Sequence, residues 1–136
     1  MVFGTFDGLH QGHLNFFKQA RGSGQRSFLI VSVARDRNVR KIKKRRPFLN
    51  EKKRMALIRK SRLADRVVLS GIGNHMPHII KERPDIIALG YDQKGIYTKN
   101  LKNNLKKEGL WVKIIRLKPY RHKIFKSHLL KSKTSL

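Results

Sequence analysis

Cysteine is absent from all 136 residues. That excludes disulfides and thiolate metal sites, and a reducing cytoplasmic setting follows as the natural expectation. Long apolar runs are absent too. None approaches the roughly 20 residues that a membrane span needs. The first residues carry neither the charged lead nor the apolar core of a signal peptide, so none is expected. Acids are scarce: 8 Asp and Glu stand against 33 Lys and Arg, a formal net charge of +25. A positive field of this size attracts nucleotides, nucleic acid and anionic surfaces, and net charge does not choose among them. The same excess can also be spread over solvated faces with no dedicated partner. Internal repeats and Gly/Ser linkers are missing, and the length suits one domain.

What is present is an alternation of apolar runs and helical patterns. Met1 to Gly4 is a short strand-like start. A helix is expected from about Gly12 to Arg21, with Leu14, Phe17 and Ala20 on one face and Gly22-Ser23-Gly24 as its stop. Ser27 to Val33 is nearly continuous and β-branched, as a buried strand is. Arg35 to Arg46 is basic and reads as a short helix followed by a loop. Asn50 can cap a helix over Glu51 to Ser61 that turns Met55 and Ile58 inward, with Glu51 in the favourable first turn.

Further strands are expected at Arg66 to Leu69, Asp85 to Leu89 and Trp111 to Leu117. Between them lie a turn at Gly71 to Asn74, a short helix at His78 to Arg83, and a helix from Thr98 to Glu108 that Gly109 ends. A basic tail closes the chain, with a last helix near Phe125 to Lys131. Strands separated by helices imply parallel pairing with right-handed crossovers. The expectation is a single-domain α/β fold: a doubly wound, Rossmann-like, five-stranded parallel sheet. In such sheets ligands bind beyond the carboxyl ends of the strands, where strand order reverses. Gly4 to His13 and Gly90 to Lys94 are the segments placed there.

The first of these, Gly4-Thr5-Phe6-Asp7-Gly8-Leu9-His10-Gln11-Gly12-His13, sits between a strand and a helix. Glycine lets backbone approach an anion closely, and a helix start offers unpaired N–H groups and a partial positive charge. Two histidines three residues apart at that start can point at one phosphate and stabilise charge on a phosphorus under attack. A phosphorylated acceptor brings its own nucleophile, so no general base or covalent enzyme intermediate is needed. Read in isolation, the same histidines can be turn or capping residues, or half of a metal site. His75 and His78, flanking Pro77, read as structural, and Trp111 reads as core.

This segment, GTFDGLHQGH, resembles the signature of the cytidylyltransferase-like nucleotidyltransferases, which include glycerol-3-phosphate cytidylyltransferase and archaeal-type FAD synthase. The resemblance runs along essentially the whole chain: Val33 to Asp36, Asn50 to Arg54, Ala64 to Val68, and above all Arg83 to Gln93, which is like the archaeal-type FAD synthases. It implies that His10 and His13 contact the triphosphate and stabilise the transition state. It places Gly4, Thr5, Phe6, Asp7, Gln11 and Gly12 at the nucleotide, Gly90 and Asp92 near its ribose or base, and Lys41, Lys44 and Arg54 at phosphates. Tyr91 and Tyr120 lie against a ring or simply pack. Mg²⁺ bridging triphosphate oxygens, and a homodimer, are further implications of the resemblance alone.

One departure stands out. Where the family has a hydroxyl-rich element near its end, this chain has Arg121-His122-Lys123-Ile124-Phe125-Lys126-Ser127-His128. Arg121 and Ser127 carry over as nucleotide-binding residues; Lys126 and His128 replace hydroxyls. The expected reaction is transfer of an NMP unit from an NTP to a phosphorylated acceptor with release of pyrophosphate. Tyr91-Asp92-Gln93 favours ATP and FMN. The alternative within the class is CTP with glycerol 3-phosphate or a related alcohol phosphate. The alternative outside it is a basic module of the same fold that binds nucleic acid without sequence preference.

Overall fold

The computed structural model describes residues 1–22, 27–71, 75–91, 93 and 99–119. Among these, β1 (Val2–Gly4), α1 (Gln11–Arg21), β2 (Ile30–Val33), α2 (Asp36–Lys43), α3 (Glu51–Ser61), β3 (Arg66–Leu69), α4 (Met76–Glu82), β4 (Ile86–Leu89), α5 (Lys99–Lys107) and β5 (Lys113–Arg116) follow one another. The Thr98 cap and the closing helix expected near Phe125 lie outside the described residues. No helix among the described residues is long and apolar enough to cross a membrane.

β1, β2 and β4 bury both their faces, which is why they read as apolar runs rather than alternations. Successive side chains point to opposite sides. Val2, Val31, Val33, Val67 and Ala88 meet Phe17 and Ala20 of α1 and Ile58 of α3 on one side. Phe3, Ile30, Ile87 and Leu89 meet Ile79 of α4 and Leu101 and Leu105 of α5 on the other. Each such large apolar side chain contributes about 2 kcal/mol by leaving water.

Helix ends follow their sequence signals. Asn50 Oδ1 accepts from the Lys53 N–H at 2.9 Å, capping α3. Gly109 follows α5 with φ of +81°, the left-handed conformation that favours glycine. Trp111 departs from expectation. It precedes β5, is 76% exposed, and lies under the Lys106 ammonium at 5.4 Å from its ring centre. Its neighbours Leu110 and Val112 take the inward positions instead.

The expected single sheet is divided. β1, β2 and β3 form one parallel sheet, and β4 and β5 a second. β1 and β4 are nevertheless side by side. At their amino ends the Ala88 N–H donates to the Met1 carbonyl at 3.0 Å, and the Met1 ammonium donates to the Ile86 carbonyl at 2.8 Å. In a parallel ladder the next such rung, two residues on, would run from the Gly90 N–H to the Phe3 carbonyl. Both partners are taken by one side chain. The Gly90 N–H donates to Gln93 Oε1 at 2.8 Å, and Gln93 Nε2 donates to the Phe3 carbonyl at 3.1 Å. A carboxamide thus stands between the strands where a rung would close them. The correction to a five-stranded sheet has this physical cause.

Candidate active site

The gap lies at the switch point, where β2 and β3 run off to one side of β1 and β4 and β5 to the other. Its two lips are the Gly4 to His13 segment and Gly90. Helix α1 starts on the first lip, one residue earlier than expected, with His10 as its N-cap. His10 Nδ1 accepts from the N–H groups of Gly12 at 3.0 Å and His13 at 3.4 Å. The His10 N–H in turn donates to His13 Nδ1 at 3.4 Å. The two imidazoles are stacked, 3.7 Å apart with 24° between their planes.

Capping is one of the readings open to these histidines, and the geometry shows His10 in that place. A neutral imidazole carries one proton, and a ring nitrogen that accepts has none. Both Nδ1 atoms accept, so both rings hold their proton on Nε2; His10 Nε2 is buried, and the His13 ring N–H faces the Gly8 carbonyl. Their charge state agrees. His13 is pushed down to about 3, first by burial and then by the His10 ring, with the Gly8 carbonyl pulling the other way. His10 is lowered by burial. Two neutral donors therefore sit at the positive end of a helix.

The lip is fixed from beneath and from the side. Phe6 occupies the left-handed region, φ 53°, a conformation costing a non-glycine residue about 1–2 kcal/mol. Its buried ring holds it there, edge-on to His13 at 5.5 Å and against Phe17 at 5.1 Å. Gly4 is required by this ring, since a Cβ at Gly4 would lie 2.6 Å from Phe6 Cζ. Asp7 faces sideways: its carboxylate accepts from the Phe48 N–H at 2.6 Å and the Leu49 N–H at 2.8 Å.

Arg54 is the fully buried centre of a second tie. Its Nε donates to the Leu49 carbonyl at 3.0 Å, one Nη to the Thr5 carbonyl at 2.8 Å, and the other to Asp36 Oδ1 at 2.6 Å. Asp36 and Glu51 then exchange backbone-to-carboxylate hydrogen bonds at 3.0 and 3.1 Å, joining the starts of α2 and α3. Arg54 meets carbonyls and a carboxylate of its own chain, and through them it holds Thr5.

The remaining expected residues fall as follows. Gln11 is exposed on the first turn of α1, and Gly12 supplies one of the capping N–H groups. Lys41 is exposed on α2, and Lys44 follows that helix in the left-handed region, φ 56°. Both belong to the segment that Asp7 ties at its far end. The carbonyl of Gly90 accepts from Arg116 Nη1 at 2.8 Å. Asp92, Tyr120, Arg121 and Ser127 lie outside the described residues. His78 Nε2 shares a hydrogen bond of 2.8 Å with buried Ser32, and His75 packs edge-on to Phe3. Sequence reasoning left out Asp36 and Gln93. For Gln93 the only signal was its place in the Gly-Tyr-Asp-Gln string; for Asp36 it was an acid at a helix start within a basic stretch.

The Cytidylyltransferase-like family profile matches residues 1–133. An FAD synthase of Korarchaeum cryptofilum is 46% identical over 119 residues, covering 86% of this chain and 79% of its own. An FAD synthase of Thermoplasma volcanium is 40% identical over 120 residues, covering 88% and 82%. Among solved structures, that of the lipopolysaccharide core biosynthesis protein from Thermoplasma volcanium GSS1 superposes with a TM-score of 0.80 at 39% identity, over 88% of this chain and 95% of that one. With its paired histidines at the start of α1 and a profile match along nearly all its length, the chain belongs to the cytidylyltransferase-like family of nucleotidyltransferases.

Proposed function

We propose that the chain is an FAD synthase, which transfers the adenylyl group of ATP to the phosphate of FMN. A phosphate oxygen of FMN attacks the α-phosphorus of ATP. The bond from that phosphorus to the oxygen leading to the β-phosphate breaks, and pyrophosphate leaves with the bond's electrons. The nucleophile is already an anion, so no proton need be removed. Negative charge gathers on the oxygens of the α-phosphate as the transition state forms. The Nε2–H groups of the two rings would stabilise it, and such electrostatic stabilisation is the usual source of the largest catalytic contribution.

The observation that carries this reading is the stacked, neutral His10–His13 pair, with both Nδ1 atoms committed to backbone N–H groups. The exposed lysines of the segment tied through Asp7, Lys41 and Lys44, are suited to the β- and γ-phosphates. ATP and FMN, rather than CTP and an alcohol phosphate, are favoured by the relatives named FAD synthase. Magnesium enters with the nucleotide. Asp7 and Asp36 are engaged by N–H groups and Arg54; magnesium would supply positive charge to the triphosphate.

The test is incubation of the purified chain with FMN and magnesium plus ATP, and with glycerol 3-phosphate and magnesium plus CTP, separating products by chromatography. FAD and pyrophosphate are expected in equal amounts from the first mixture and nothing from the second. His10→Ala and His13→Ala are expected to abolish turnover. Product from CTP alone would move the chain to the cytidylyl branch, and turnover unaffected by either histidine would end the reading.

A further inference from the structure

A buried rung of a parallel sheet is seldom given up without cause, since it satisfies two backbone groups at once. Here the rung between Gly90 and Phe3 is given up, and a single carboxamide satisfies both groups instead. The substitution is held firmly. The Gln93 N–H donates back to the Gly90 carbonyl at 3.1 Å, so Gly90 and Gln93 bond reciprocally. Arg116 of β5 donates to the carbonyls of both Gly90 and Gln93, pinning the turn to the neighbouring strand. Two residues earlier the same strands are joined directly by Ala88 and Met1.

We infer that Gln93 is a positioning residue for the nucleotidyl transfer: its carboxamide wedges β1 and β4 apart at their carboxyl ends and sets the width of the crevice in which the two substrates meet. The wedge touches the Phe3 carbonyl, one residue before Gly4 and seven before His10. It therefore sets the distance from the histidine-bearing lip to the lip that follows β4. Removing it lets the Gly90 N–H reach the Phe3 carbonyl and narrows the gap. Glutamine suits the task because it both accepts and donates, one bond to each strand. Glutamate in its ionised form accepts from Gly90 but repels the Phe3 carbonyl. Protonated, it donates again.

The inference rests on the proposed adenylyl transfer, and its experiment separates the two. Gln93→Ala and Gln93→Glu are compared with the unaltered chain by crystal structure, by ATP binding in calorimetry, and by FAD formation across pH. In Gln93→Ala the direct Gly90-to-Phe3 hydrogen bond is expected. ATP binding should weaken, and KM rise, at least tenfold, with a smaller change in kcat. Gln93→Glu is expected to be similarly impaired at neutral pH and to recover relative to the unaltered chain as pH falls and the carboxyl is protonated. A Gln93→Ala structure in which the strands stay apart would overturn the inference, as would unchanged ATP affinity and KM in both variants. If the unaltered chain binds ATP but makes no FAD, the adenylyl-transfer reading fails, and the structural and calorimetric comparisons still decide the wedge.

Discussion

The two ends of the β1–β4 seam are built differently. At the amino ends the strands are joined by their own backbone, Ala88 to Met1 and Met1 to Ile86. At the carboxyl ends a side chain stands between them, and the loop beyond is held by Arg54, Asp7 and the two histidines rather than by sheet. Backbone pairing makes a closed, apolar seam that needs no particular sequence. A cleft has to be kept open by groups that satisfy the exposed backbone one at a time, and each has to be a specified residue. Substitutions at the two ends are therefore expected to separate stability from substrate use.

The largest effect is expected at Arg54. Arg54→Met leaves Asp36, Thr5 and Leu49 without their buried donor and is expected to lower stability by about 3–5 kcal/mol, measured by urea denaturation, with a further loss of ATP affinity in whatever folds. Arg54→Lys is not a rescue, because one ammonium cannot reproduce a planar fork that reaches three acceptors. At the closed end Ile87 is fully buried. Ile87→Ala is expected to cost about 3 kcal/mol by opening a cavity, with KM values unchanged at temperatures where the chain stays folded. A rise in KM there would erase the distinction between the two ends.

A smaller effect comes from His13. Its folded pKa, pushed down to about 3, is below its ordinary 6.5. The unfolded chain therefore binds a proton that the folded chain refuses, over the interval between these values. Stability from this group is full above about pH 6.5 and falls as the medium becomes more acidic, by about 1 kcal/mol per pH unit. Urea denaturation from pH 7 to pH 4 is expected to show that slope, and His13→Gln to reduce it; an identical slope in the variant would contradict the shift. Smallest is Asp7→Asn. One amide oxygen serves the Phe48 and Leu49 N–H groups less well than a carboxylate. About 1 kcal/mol is expected to be lost, with KM for ATP raised because the lysine-bearing segment is less firmly tied. An unchanged KM would limit Asp7 to stability.

Much of the fold could be read from the chain. Helix α3 and strand β3 fall where the Asn50 cap and the Arg-Val-Val-Leu run place them, and the histidine loop stands at a helix start as its glycines suggest. What escaped shares one cause. Asp7 bonds residues 41 and 42 positions away, and Gln93 a carbonyl 90 positions away. No local pattern encodes such partners. Trp111 was a different failure. Its neighbours Leu110 and Val112 are buried, so the two-residue period put it outside, although the strand-like pattern after it had argued for the core.

His10 caps α1 through Nδ1, and in the proposed reaction the proton on its Nε2 would meet the nucleotide. Asparagine caps helices well but lacks a donor at the second place. The most direct measurement is a thermal melt and an FAD-synthesis rate for His10→Asn beside the unaltered chain. Stability within about 1 kcal/mol and turnover reduced roughly 100- to 1,000-fold are the expected results. A variant that makes FAD at the original rate would show that the imidazole caps a helix and does nothing more.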